Sequence, residues 1–124
     1  MKTRLMIVAL VGVLGSGAVM AADAKFDGNM LLSQCQQYIN AADSQKYNQI
    51  DAAVCGGFIQ GVTSTVFFFS EDLKKNDRFC LPDNATNGQI ARIVVKYLKD
   101  NPKLLNEGRA GLVWLALKDA YPCK

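Results

Sequence analysis

Apolar and polar positions sort this chain into four helical stretches joined by polar turns. In residues 29–40, Leu31, Cys35, Tyr38 and Ala42 recur at spacings of four, three and four, one stripe of a helix, while Gln34, Gln36 and Gln37 face away. Residues 41–48 are polar and read as a connector. Residues 49–69 predict a second helix with a stripe of Cys55, Phe58, Val62 and Val66, widened by Val54, Ile59 and Phe69. Thr86 with Gln89 three later is a capping box and opens a third helix. Its Ile90, Ile93, Val94, Tyr97 and Leu98 fall at i, i+3, i+4, i+7 and i+8, one buried face, with Arg92, Lys96 and Lys99 outside. Asn101-Pro102 stops it, because a residue before proline is pushed out of helical geometry. Pro102 suits the first turn of a further helical piece, and residues 103–108 read as a short turn. Residues 111–121 predict the last helix, with Val113, Leu117 and Tyr121 in line, Leu112, Leu115 and Ala116 extending the apolar surface, and Trp114 expected in the core.

Two features resist this pattern. Gly56, Gly57 and Gly61 sit inside the second helix, where each costs up to about 1 kcal/mol against alanine. Gly57 and Gly61 share a face and would let another backbone approach closely. Packing against a helix of the same chain is the expectation; a subunit or partner contact is the alternative. Val66-Phe67-Phe68-Phe69 is too apolar all round for a one-sided helix end, so at least one phenylalanine should lie under a loop or at an interface.

Four cysteines allow three pairings. The midpoint of Cys35 and Cys55 is position 45, inside the first connector. That of Cys80 and Cys123 falls between Asn101 and Pro102, a second turn. Antiparallel hairpins folded about these two turns bring each pair level, which favours Cys35–Cys55 and Cys80–Cys123. The fold class expected is all-α: a small, disulfide-stapled bundle of about four helices, built as two hairpins.

The N-terminus sets the compartment. Lys2 and Arg4 head an uncharged apolar run from Leu5 to Met20, closed by Ala21. Basic head, apolar run and small-residue exit are the parts of a secretory signal peptide. The run is short for a membrane span of about 20 residues. Residues 1–21 are therefore expected to be a cleaved signal peptide, 22–28 a flexible leader and 29–124 a single helical domain. An even cysteine count in a small exported chain fits two disulfides. Removing Lys2 and Arg4 lowers the formal net charge from +3 to +1. Near neutrality gives no electrostatic attraction to nucleic acid or to anionic membrane.

The chemistry expected is binding rather than catalysis. The sequence has no histidine, the usual general base and the commonest neutral metal ligand. The cysteines are expected in disulfides, no carboxylate pair stands out, and no glycine-rich phosphate loop has its lysine. No enzyme, cofactor or metal is expected. Residues 70–78 (SEDLKKNDR) are the most charged window and nearly balanced. They read either as a solvated connector or as a recognition surface held at one end by Cys80.

Phe79-Cys80-Leu81-Pro82, the run Ile93-Val94-Val95-Lys96-Tyr97-Leu98, Asn101-Pro102 and Ala116-Leu117-Lys118-Asp119-Ala120-Tyr121-Pro122-Cys123 together resemble the Rap/Tai family. Cys55-Gly56-Gly57-Phe58-Ile59-Gln60-Gly61-Val62 resembles its central helix. These are immunity proteins against amidase effectors of the bacterial type VI secretion system. The resemblance spans residues 30–123 and implies a periplasmic, non-catalytic, all-helical protein with both disulfides. It implies a peptidoglycan amidase effector as partner, bound at its active-site groove, and a homodimer holding two effectors. No motif fixes the contact residues. The charged window supplies the expectation: Asp72, Lys74, Lys75, Asn76, Asp77 and Arg78, with Arg92, Lys96 and Lys99 as the next candidate surface. The competing readings are a periplasmic stress chaperone, an envelope assembly factor of the same fold without a cognate effector, and an enzyme of unknown type.

Overall fold

A computed structural model describes residues 26–124. The expected signal peptide, and the expected leader up to residue 25, lie outside the described residues. Among the described residues there are four helices, α1 (Gly28–Ala42), α2 (Gln49–Phe68), α3 (Asn87–Asp100) and α4 (Arg109–Ala120), with single 3-10 turns at Lys75–Asp77 and Pro102–Leu104. Among the described residues there is no strand, only the isolated bridges Asp27–Gly108 and Phe79–Pro122. The architecture is all-α: two hairpins, α1–α2 and α3–α4, with α1 packed on both α2 and α3.

Helix α1 starts slightly earlier than its apolar stripe suggests. Asp27 caps it, accepting from the backbone N–H of Met30 at 3.1 Å. The N–H of Gly28 donates to the Glu107 carbonyl at 3.1 Å. A Cβ on Gly28 would stand 3.0 Å from the backbone of Leu105, so only glycine lets the two segments pass this closely. Residues 27 and 28, expected in the leader, are thus part of the domain. Leu31, Cys35 and Ile39 face the core, Tyr38 is half-buried and Ala42 is exposed, so the stripe tilts toward Ile39. Of the glutamines read as outward, Gln37 accepts from the N–H of Asn48 at 2.9 Å and ties down the connector. Asn48 in turn caps α2.

The second hairpin follows its sequence signals closely. Thr86 and Gln89 form both bonds of the capping box, at 3.2 and 2.9 Å. Ile90, Ala91, Val94, Val95 and Leu98 are buried, with Ile93 and Tyr97 packed at the margin. Pro102 opens its 3-10 turn. Helix α4 begins at Arg109, two residues before the expected start, and buries Leu112, Val113, Ala116 and Leu117. Leu115, expected on the apolar surface, faces solvent instead.

Disulfides close both hairpins. Cys35 and Cys55 are joined with Cα atoms 5.0 Å apart, both wholly buried. Cys80 and Cys123 are joined with Cα atoms 5.1 Å apart, and Cys80 is exposed. The second clasp is reinforced by the Phe79–Pro122 bridge and by the N–H of Cys80 donating to the Tyr121 carbonyl at 2.8 Å.

Helix α2 departs most from expectation. Ala52, Cys55 and Ile59 are its only buried residues, all in the first eleven positions. Phe58, Val62 and Val66, read as core stripe, are half-buried on an open groove. A Cβ on Gly57 or Gly61 would meet nothing within 4 Å, so the expected packing of these glycines against a helix of the same chain is not formed. Only Gly56 contacts a neighbour, the ring of Tyr38. No phenylalanine of the cluster lies under a loop: Phe67, Phe68 and Phe69 are 81%, 78% and 47% exposed. The physical reason is length. At about 1.5 Å per residue α2 outruns the shorter α1 with which it pairs, and its last turns project beyond the core.

Candidate functional site

The charged window leads directly out of α2. Arg78 donates from its guanidinium to the Ser70 carbonyl at 3.1 Å, drawing the two ends of the loop together. The Trp114 indole N–H donates to the Asp77 carbonyl at 2.9 Å and pins the loop to α4. Phe79, buried next to Cys80, anchors its exit. A rigid base therefore carries the charged side chains, at small entropic cost on binding. Asp72, Lys74, Lys75 and Asn76 are exposed, whereas Asp77 and Arg78 are half-buried and serve the loop's own structure.

Beside this loop runs a groove of about 740 Å³ between the second half of α2 and the start of α4. Phe58, Val62, Val66 and Phe69 form one wall, Ala110 and Trp114 the other, and Leu73 with Asp77 close the loop end. Gly57, Gly61 and Gly111 hollow it out, since side chains there would occupy it. Trp114, expected in the core, stands half-buried on this wall, with the Lys118 ammonium 4.1 Å from its ring centroid. At the other end the Arg109 guanidinium is stacked between Phe26 and Phe58, 4.8 and 4.1 Å from their centroids. The sequence reading missed the groove because its wall residues have the same spacing as a core stripe. The available signal was the glycines and phenylalanines of α2, more apolar surface than three short helices can cover.

The second basic surface lies on α3, away from this groove. Arg92 pairs with Asp43, Lys96 with Asp100, and Lys99 donates to Gln36 at 3.2 Å. The hydrogen bond that Lys96 donates to Asp100, and then the Asp100 charge, raise the Lys96 pKa above the usual lysine value. Each cation here has a partner to give up before binding anything else, whereas Lys74 and Lys75 form no ion pair among the described residues. Among the described residues no group of three or more His, Cys, Asp or Glu stands ready to hold a metal ion.

A family model described as Rap1a immunity proteins matches residues 27–123. The chain belongs to this family. The match begins at the Asp27 cap and ends at the Cys123 clasp, so it covers the domain formed by the four helices. Comparison with curated proteins and with solved structures returned no match. Membership makes this an immunity protein, one whose work is to bind a partner effector protein. Together with two disulfides, it points to an exported chain.

Proposed function

We propose that this chain is a periplasmic immunity protein, exported by a signal peptide at residues 1–21, that binds and inhibits a peptidoglycan amidase effector of the type VI secretion system. It acts by occupying the enzyme's active-site groove and performs no catalysis of its own. Its working form is a homodimer carrying two effectors. The observation that carries this reading is the family match over residues 27–123. Two further observations support it. The disulfides equip the domain for an oxidising compartment. The loop at residues 70–78 offers unpaired, exposed charge on a braced scaffold, the kind of surface that enters an enzyme groove.

The contacts are Asp72, Lys74, Lys75 and Asn76, with Asp77 and Arg78 holding the loop in shape. Calorimetry against a purified amidase effector tests this. Reversing charge with K74E and K75E should weaken binding about tenfold or more and alter its salt dependence. Unchanged affinity would move the contact elsewhere, first to Arg92, Lys96 and Lys99. No binding by the unaltered protein to any such amidase would overturn the function itself.

A further inference from the structure

The groove between α2 and α4 offers little to hydrogen-bond along its length. On the α2 wall the backbone groups are bonded along the helix, and the Thr65 hydroxyl donates back to the Gly61 carbonyl at 2.7 Å. On the other side the Trp114 indole N–H is taken by the Asp77 carbonyl. An extended peptide laid here would leave polar groups at every residue without partners, a cost that a hydrocarbon chain does not meet. The two ends of the groove differ in charge. Asp77 stands at the loop end, and the Arg109 guanidinium stands at the Phe58 end. Arg109 forms no ion pair among the described residues; its neighbours are the rings of Phe26 and Phe58.

We infer that this groove binds one fatty acid, with its carboxylate at Arg109 and its tail running along Val62 and Val66 toward Leu73. Charge fixes the direction. The carboxylate meets a guanidinium without an acid partner at one end and would meet the Asp77 carboxylate at the other. Stacking on two rings shields Arg109 from water and holds its plane, which strengthens a bidentate bond to a carboxylate. This occupant is separate from the effector, and neither reading depends on the other.

The dimensions fit a single chain. Phe58 and Phe69 lie eleven positions apart, about 16 Å of helix. Half of a bilayer's hydrocarbon core, the reach of one acyl chain, is about 15 Å. Phe58, Val62, Val66 and Phe69 follow one another at spacings of four, four and three, so the tail meets apolar side chains throughout. The volume of about 740 Å³ falls within the ~300–1,000 Å³ usual for small-molecule sites. Gly57, Gly61 and Gly111 keep the lane open, because a Cβ at any of them would project into unoccupied space.

Trp114 is the only tryptophan of the chain and stands on the groove wall, so its fluorescence reports occupancy directly. Laurate is titrated, below its micelle concentration, into the mature chain from residue 22 onward with both disulfides formed. Emission should shift to the blue and saturate at one laurate per chain. The melting temperature should rise, whereas a merely denaturing amphiphile would lower it. From octanoate to myristate affinity should climb about fourfold per methylene, then level off once the tail outruns the groove. G111L fills the lane from the α4 side and raises helix propensity, so it should abolish binding while its own melt holds or rises. R109E should weaken laurate about tenfold or more and take up dodecylammonium instead. No response to laurate, or a response that G111L leaves intact, overturns the inference. Equal laurate affinity in R109E overturns the placement of the carboxylate. Binding to anionic phospholipid vesicles without binding of the free acid overturns it in favour of a membrane contact. Loss of amidase binding by G111L, with no laurate bound by the unaltered chain, overturns it in favour of the effector.

Discussion

Helices α2 and α3 are built on opposite plans. Helix α3 is polar by composition, yet five of its 14 residues are buried, because its apolar residues keep strict helical spacing and meet α1 and α4. Helix α2 is the more apolar and longer, yet only three of its 20 residues are buried. Apolar content alone does not determine burial; the number of faces that neighbours can cover does. The neighbouring helices cover one face of α3. They leave α2 with a face for the core, a wall for the groove and an exposed outer face. Helix α3 is therefore held by packing along its apolar face, and α2 is held through its first half, where Ala52, Cys55 and Ile59 are buried and α1 packs against it.

This contrast can be broken experimentally. The largest effect should come from reduction. In the chain-entropy model the clasp across 20 residues contributes about 3 kcal/mol and that across 43 about 4 kcal/mol. Set against a typical domain stability of roughly 5–15 kcal/mol, their loss should leave the domain marginal or unfolded. Thermal melts with and without reductant measure it, and an unchanged midpoint would show that packing alone suffices. Next in size is a paired truncation. Leu98→Ala in α3 removes a wholly buried side chain and should cost about 2–5 kcal/mol. Phe68→Ala in α2 removes a larger side chain but, in the dissociated protein, should change stability by no more than about 0.5 kcal/mol. Equal costs in urea titrations at low concentration would mean that the end of α2 is packed after all. Gly28→Ala should fall between these two, about 1–3 kcal/mol, because its methyl would meet Leu112 Cδ1 at 2.5 Å and the Leu105 backbone at 3.0 Å. A neutral melt there would mean the N-terminal contact gives way without strain.

The same contrast explains what was legible in the chain. The capping box at Thr86, the stop at Asn101-Pro102 and the spacing of α3 are local signals, and local signals survive folding unchanged. The disulfide pairing was legible because two turn centres fix which cysteines come level. Burial along α2 was not. Val62 and Val66 have the spacing of core residues, but whether a neighbour covers them depends on the relative lengths of α1 and α2 and on where α4 starts, which no window of α2 contains. Trp114 was misplaced for the same reason: its wall faces the groove rather than a helix. For the loop, the charge of Lys74 and Lys75 was legible, whereas the internal duties of Arg78 and of the Asp77 carbonyl depend on partners eight and 37 positions away.

The two disulfides turn most of the domain into two covalent rings, residues 35–55 and 80–123, threaded on one strand of chain. A protease that cuts once inside either ring, at Lys46 or at Lys103 for instance, leaves every residue still attached to every other. The stretch at 56–79 belongs to neither ring, and its basic residues, Lys74, Lys75 and Arg78, are all in the charged loop. A single cut there, alone among tryptic sites in this span, parts the protein into two closed halves held only by packing. The loop proposed for recognition is thus also the place where one cut between the two rings parts the molecule.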